Sequence, residues 1–336
     1  MTAQAATQGT AQSFEGKRVL ITGGLGFIGS NLAVRLVQEG AKVTLIDSLV
    51  PAFGGNPFNI EPIRDRVTLN ISDLRDPHSL RILVREQEII FHLAAQVSHG
   101  DSMREPDHDL ANNATATLNL MEACRECNPH TRLVYTSTRQ VYGIPRELPV
   151  TEDHPALPID INGIHKLAAE YYHLLYHRTY GIPSTILRLT NTYGPRLQIK
   201  NDRQGFIGVF LRRALLGQTL NIFGDGQQIR DFNHVDDVVE ALLLAAQNDD
   251  CMGQFFNLGA ATPCSLLTFA EILSRHTPSD YRLMPFPEDS KLIDIGDYYG
   301  DYGRFSQTTG WQPRVGLEEG LESTVAWFRQ HGKHYL

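Results

Sequence analysis

Three glycines in TGGLGFIGS, Gly23, Gly26 and Gly29, follow a β-branched run and open an apolar-periodic segment. Their GxxGxxG spacing suits a turn whose backbone lets a pyrophosphate approach and rest on the N–H groups that start the next helix, at Phe27 and Ile28. Asp47 closes the following apolar run, KVTLID, where a carboxylate can accept the hydroxyls of an adenosine ribose. No Arg or Lys follows Asp47 closely, so a 2′-phosphate would meet an acid without a cation. The expected cofactor is therefore NAD rather than NADP. Other reactive-looking residues carry less. Cys124-x-x-Cys127 falls within a predicted helix with no second pair nearby, and the 13 histidines are scattered, so no metal site is expected.

Elements must hold these residues in place. From Lys17 a short strand (RVLIT), the glycine turn and a helix closed by Gly40 lead into a second strand, KVTLID. The alternation continues through VTLNI, a helix near 77–87, EIIFHLAA, a long helix over 108–127, TRLVYTST, another over 162–180, and STILRLT. Strands that are apolar on both faces and alternate with helices predict an α/β fold, a Rossmann-type doubly wound parallel sheet. After Asn191 the rhythm breaks into short pieces punctuated by Gly, Pro and Asp, which predicts a smaller α/β substrate-binding domain. The expected division is a disordered lead-in over 1–13, an NAD-binding domain over 14–190 and about 231–258, and a substrate domain over about 191–230 and 259–336.

Composition agrees with such a molecule and excludes others. The chain has 336 residues, 42% hydrophobic and 20% charged, enough for a sizeable core and unlike a disordered or collagenous chain. With 30 Lys+Arg against 38 Asp+Glu the net charge of -8 has the wrong sign for a nucleic-acid binder, and no basic run offsets it. Four cysteines, no charged-then-apolar leader and no apolar stretch of membrane-spanning length point to a cytoplasmic protein without membrane contact.

TGGLGFIG, the Asp73 of ISDLRD, FHLAAQVS, VYTSTRQVYG, KLAAE, RLTNTYGPR, FGDGQQIRDFNHVDDVV and GWQPRVGLEEGLESTVAW resemble, in order and spacing, the extended short-chain dehydrogenase/reductase family of NAD-dependent nucleotide-sugar epimerases and dehydratases, of the UDP-glucose 4-epimerase kind. The resemblance runs from about Lys17 to about Arg329. It implies that Asp73 and Leu74 hold the adenine and that Leu93, Ala94, Ala95, Gln96 and Asn113 line the dinucleotide. It also implies that Lys166 bonds the nicotinamide ribose and lowers the pKa of the catalytic base, and that Thr138 bonds the sugar hydroxyl being oxidised. Ser98, His99, Asn191, Phe206 and Arg230 fall where the family meets its nucleotide-diphosphate sugar. The two long helices form the family's intersubunit bundle, so a homodimer is expected.

One position departs from the family pattern. Where the family has its catalytic Tyr, four residues before the Lys, DINGIHK has Asn162, an amide that cannot take a proton at neutral pH. His165, beside Lys166 and within reach of the same pocket by helical phase, is the first candidate base, since imidazoles titrate near neutrality. His99, Asp101 and Tyr142 are further candidates. The dehydratases carry Asp-Glu after the Thr, and here Arg139 and Gln140 stand there instead, which disfavours dehydration. Epimerisation through a transient keto-sugar is the leading expectation. A nucleotide-sugar oxidoreductase that releases or reduces the keto-sugar, and an impaired protein that only binds NAD and nucleotide sugar, remain as alternatives. RQGFIGVFLRRAL resembles the substrate loop of CDP-tyvelose 2-epimerases, and Lys291 or Arg304 stands in for the family's late Arg.

Overall fold

Seven short apolar runs pair into one parallel sheet in the computed structural model, which describes residues 13–50, 53–201, 205–287 and 293–336. Residues 1–12 of the expected lead-in, and Lys291, lie outside the described residues. The strands are β1 (Arg18–Thr22), β2 (Lys42–Asp47), β3 (Val67–Ile71), β4 (Ile89–His92), β5 (Arg132–Thr138) and β6 (Ser184–Leu189). The short strands β7 (Asn191–Tyr193), β8 (Leu220–Phe223), β9 (Ile229–Arg230) and β10 (Phe232–His234) precede the seventh sheet strand, β11 (Gln254–Asn257). Every residue of β4 and β6 is buried, as a sheet covered on both faces requires.

The order is β11-β6-β5-β4-β1-β2-β3, so the winding reverses between β1 and β4 and opens a crevice at their carboxyl ends. Register pairs Thr22 with both Ile46 and His92, which delivers Gly23, Asp47 and Leu93 to the same edge. On one face α1 (Phe27–Gln38) packs against α8 (Val235–Gln247) through Leu32, Leu36, Val238 and Leu242. Cutting one such fully buried Leu to Ala costs about 2–5 kcal/mol. On the other, α2 (Pro77–Leu83), α5 (Ala116–Cys127) and α6 (Ile161–Tyr180) close over Leu80, Leu120, Met121 and Tyr176.

The helix expected over 108–127 is one helical run of three parts. After α3 (His99–Arg104) come α4 (Pro106–Leu110), a π turn over Ala111–Thr115, and then α5. The Thr117 hydroxyl donates to the Asn113 carbonyl at 2.6 Å, a side-chain bond that competes with the backbone ladder at the widened turn.

A second core joins Tyr193, Phe210, Phe232, Phe269, Leu321 and Phe328 from segments after Asn191. It gathers α7 (Phe206–Leu215), α9 (Leu266–Arg275) and α11 (Leu317–His331). The intervening α10 (Gly303–Thr309) differs from the expected division, because its Phe305 and the following Trp311 pack into the core of the sheet beside Phe256 of β11. Among the described residues no helix is long and apolar enough to cross a membrane, and no cluster of His, Cys, Asp and Glu is placed to hold a metal ion.

Candidate active site

A cleft at the β1–β4 crevice is walled by Gly23, Gly26, Phe27, Ile28, Asp47, Asp73, Leu74, Leu93, Ala94 and Ala95. Close approach dictates its glycines. A Cβ on Gly29 would stand 2.2 Å from the Gly23 carbonyl oxygen, and one on Gly23, whose φ is +70°, would stand 2.9 Å from the Ala94 nitrogen. Gly26 caps α1 without a side chain, and no acid stands in the first turn, so the leading N–H groups stay available to an anion. Thr22 Oγ1 accepts from the Leu93 and Ala94 amides at 3.1 Å each and ties the two walls together.

Asp47 accepts from the Leu25 amide at 3.0 Å and the Leu49 amide at 2.9 Å, and burial raises its pKa above the ordinary carboxylate value. Asp73 also lines the cleft, but Arg75 clasps its carboxylate and holds its pKa down. Gln96 and Asn113, expected at the dinucleotide, are bonded to each other. The Asn113 amide donates to the Gln96 carbonyl at 3.0 Å and accepts from the Gln96 N–H at 3.1 Å, which pins the loop after β4 to the π turn. The loop after β7 adds Leu197 and Gln198 to the wall, which sequence reasoning did not anticipate.

Beyond the cleft lies a polar cluster centred on α6. Asp160 caps this helix by accepting from the Gly163 N–H at 2.6 Å, and its other oxygen accepts from Gln140 Nε2 at 2.9 Å and lies 2.9 Å from His99 Nδ1. Gly163 is required there, since a Cβ would stand 3.0 Å from the Gln140 carbonyl oxygen. The buried face of α6 then presents Asn162, Lys166, Glu170 and His173 at helical spacing.

Asp109 of α4, fully buried, is the centre of the cluster and was missed from the sequence. It accepts from Asn162 Nδ2 at 3.0 Å and meets His165 Nδ1 at 2.7 Å. Asn162 Nδ2 also donates to the Gln96 carbonyl at 2.9 Å. Lys166 Nζ donates to the Thr136 carbonyl at 3.0 Å and lies 4.9 Å from the Tyr135 ring centroid. Burial pushes the Lys166 pKa down to about 8, against the attraction of Asp109 and Glu170.

A run of buried carboxylate, imidazole, amide and ammonium beside a dinucleotide cleft is acid–base equipment for a redox step on a bound substrate. A model of the NAD dependent epimerase/dehydratase family matches residues 19–259. The chain belongs to this epimerase/dehydratase family, and NAD is its cofactor. It is 32% identical over 315 residues to a putative UDP-glucose 4-epimerase of Methanocaldococcus jannaschii, which covers 94% of the chain and 99% of that relative. It is also 31% identical over 323 residues to a UDP-N-acetyl-alpha-D-glucosaminuronate decarboxylase of Bacillus cytotoxicus, covering 94% and 98%. Among solved structures, UDP-glucose 4-epimerase of Thermotoga maritima with UDP-glucose superposes with a TM-score of 0.85 at 32% identity, over 94% of this chain and 99% of that one.

The remaining expected residues of this epimerase/dehydratase divide. Thr138, half-buried at the end of β5, accepts from the Gln140 N–H at 3.2 Å, and Ser98 caps α3 by accepting from the Asp101 N–H at 3.2 Å. Asn191 donates to the Asp231 carbonyl at 3.1 Å and accepts from Arg139 Nη2 at 3.3 Å. Arg230 is buried, donating to the carbonyls of Ile229 and Gly296 and standing 3.3 Å from Asp294. Phe206 packs edge-on against Phe210, Phe232 and Phe269, so its ring serves the second core. Tyr142, a weighed base, is fully buried and donates to Asn257 Oδ1 at 2.7 Å; burial raises its pKa to about 12, which removes it from proton exchange near neutrality. Arg304 is exposed and bonded to Gln254 at the start of β11, the end opposite the crevice, so it does not replace the late Arg.

Proposed function

We propose that this family member is a nucleotide-sugar epimerase that oxidises a ring carbon to a transient keto-sugar and reduces it from the other face. The pairing of Asp109 with both His165 and Asn162, one turn from Lys166, carries the reading. NAD, held along the cleft by Gly23, Gly26, Asp47 and Ala94, would supply reversible hydride chemistry for the ring carbon.

The residues of the chain do the rest. Thr138 Oγ1 orients the reacting hydroxyl. An ionised carboxylate only accepts, so His165 Nδ1 carries the proton toward Asp109 and Nε2 presents its lone pair as the base. Asn162, where the family has Tyr, holds Asp109 in position and moves no proton. Lys166, buried and cationic below its lowered pKa, favours the developing alkoxide. Asn191 and Arg230 serve the diphosphate, with Arg230 exchanging Asp294 for phosphate oxygens. Dehydration and decarboxylation are disfavoured because Arg139 and Gln140 follow Thr138, and the Gln140 amide is committed to Asp160.

A homodimer fits the outer row of α6, where Ile164, Tyr171 and Leu175 share one face and remain 47%, 61% and 43% exposed. Light scattering at working concentration tests it, and a monomeric mass rejects it. The reaction is tested by incubating the protein with UDP-, CDP-, GDP- and dTDP-sugars while following NADH absorbance and product NMR together. An epimer without net NADH is expected. Net NADH identifies an oxidoreductase, and NAD binding without turnover identifies a binding protein.

A further inference from the structure

One loop serves both halves of the site. It leaves β7, whose Asn191 is given above to the diphosphate, and then supplies Leu197 and Gln198 to the wall of the dinucleotide cleft. Between them Arg196 has a φ of +71°, in the left-handed region that residues with a Cβ rarely adopt. Such a backbone persists only where its surroundings hold it.

The hold comes from α1 and from the helical segment Pro57–Arg66. Arg196 Nη1 donates to Asn31 Oδ1 at 2.8 Å and Nε donates to the Asn59 carbonyl at 3.0 Å, while Asn31 Nδ2 donates back to the Pro195 carbonyl at 3.0 Å. Asn59, which is buried, passes the connection on. Its Nδ2 donates to the Leu25 carbonyl at 2.8 Å, and its Oδ1 accepts from the Tyr335 hydroxyl. Leu25 lies inside the glycine turn and gives its amide to Asp47 at 3.0 Å. Tyr335 in turn is buried against Phe328 in the second core. The Arg196 loop and Tyr335 thus converge on Asn59, and Asn59 braces the turn that receives the cofactor.

We propose that Arg196 and Tyr335 are positioning residues that couple the two halves of the site, so that a nucleoside diphosphate at Asn191 slows release of the dinucleotide from the glycine turn. The coupling rests on the nucleotide-sugar reading above, which gives Asn191 its ligand. The loop has two arrangements. With Arg196 left-handed and bonded, Leu197 and Gln198 complete the cleft wall and Asn59 is braced; with its backbone relaxed, wall and brace are both released. A ligand that fits Asn191 better in the first arrangement shifts the population toward it. By linkage, an occupied dinucleotide cleft strengthens the hold on the diphosphate by the same factor. An enzyme that must return the hydride it has taken gains from keeping NADH until the sugar leaves.

Release of NADH from the loaded protein tests this, chased with excess NAD and followed by fluorescence, without and with saturating UDP, CDP, GDP or dTDP. In the wild type the tightest-binding diphosphate is expected to slow release about 10-fold, within the usual span of coupling between sites. Arg196→Gln brings that ratio near one, and Arg196→Lys, a point charge without the fork, keeps part of it. Tyr335→Phe keeps the ring, loses one hydrogen bond and lowers the ratio to about threefold. A role confined to stability would speed release equally with and without the diphosphate. An unchanged ratio in Tyr335→Phe therefore overturns the proposal even where the arginine variants do not fold, and so does a wild-type ratio of one. Calorimetry of the same samples keeps the two readings apart: a diphosphate that binds without slowing release defeats the coupling alone, whereas failure of all four to bind defeats the nucleotide-sugar reading with it.

Discussion

His165 Nδ1 lies 2.7 Å from Asp109 Oδ1, joining an imidazole on α6 to a carboxylate with no exposed surface on α4. Such a carboxylate fixes the tautomer and leaves the far nitrogen to take a proton, the division of labour of a His–Asp pair in hydrolases. His165→Gln is therefore expected to lower kcat by about 10²–10⁴-fold with KM little changed. Asp109→Asn, which reverses the preferred tautomer, is expected to lower kcat by at least about 10-fold. Steady-state kinetics of the two variants decide it. Full turnover in His165→Gln rejects His165 as the base.

Lys166 predicts the alkaline behaviour. Its pKa is pushed down to about 8 by burial, so the cation is lost as pH rises through that value and activity that depends on it falls there. Arg stays charged throughout, so Lys166→Arg, where active, moves the alkaline limb upward. Stability runs the other way. Between about pH 8 and 10.4 the unfolded chain holds the proton and the folded chain has released it, so this group's contribution rises with pH, by on the order of 3 kcal/mol over the window. Rate profiles and urea midpoints across that range check both signs, and an unmoved limb in Lys166→Arg assigns the limb to another group.

The parts legible in the sequence were those written in local pattern. Gly23, Gly26 and Gly29 with Asp47 marked the cleft because a turn and a strand end have short-range signatures, and the strand alternation carried the sheet. Asp109 was not legible, because its meaning depends on a partner 56 positions away and on a π turn beginning two residues later. The pairing of Gln96 with Asn113 was not legible for a related reason. Polar residues beside a cofactor strand suit ligand contact and structural pairing equally, and only the fold shows the Asn113 side chain bonded to the Gln96 backbone and the Gln96 side chain to the Ser98 carbonyl. Phe206 read as a substrate contact from its loop, but three phenylalanines distant in sequence gather its ring.

Gly29 supplies a test of the cofactor cleft. A Cβ there would stand 2.2 Å from the Gly23 carbonyl oxygen, backbone that cannot swing aside as a side chain would. Gly29→Ala is expected to push α1 away from the turn that receives the pyrophosphate and to weaken NAD binding by about 100-fold or more, the loss of two or three backbone hydrogen bonds. Fluorescence titration with NADH and assay of co-purified NAD measure this. Wild-type affinity in Gly29→Ala shows that the turn can relax.

His92 and His173 predict the acid limit of the fold. They flank Tyr135 as a stack of rings behind Lys166, with centroid separations of 5.3 and 4.7 Å. His92 meets the Thr22 and Thr117 hydroxyls, and His173 meets Ser184 at 2.6 Å. Burial holds both pKa values down, that of His173 to about 3, with the Lys166 charge adding to the effect. An unfolded histidine takes a proton below about pH 6.5 and these two do not while folded, so stability is full above that pH and is lost as pH falls. At pH 5 the loss is about 2 kcal/mol for His173, and His92 adds to it in the same direction. His173→Phe places an apolar ring in the same stack and removes one of the two contributions, although Ser184 then loses its partner. Its urea midpoint is therefore expected to start lower at pH 7.5 and to fall less steeply toward pH 5 than that of the wild type, and parallel slopes would show that other groups set the acid limit.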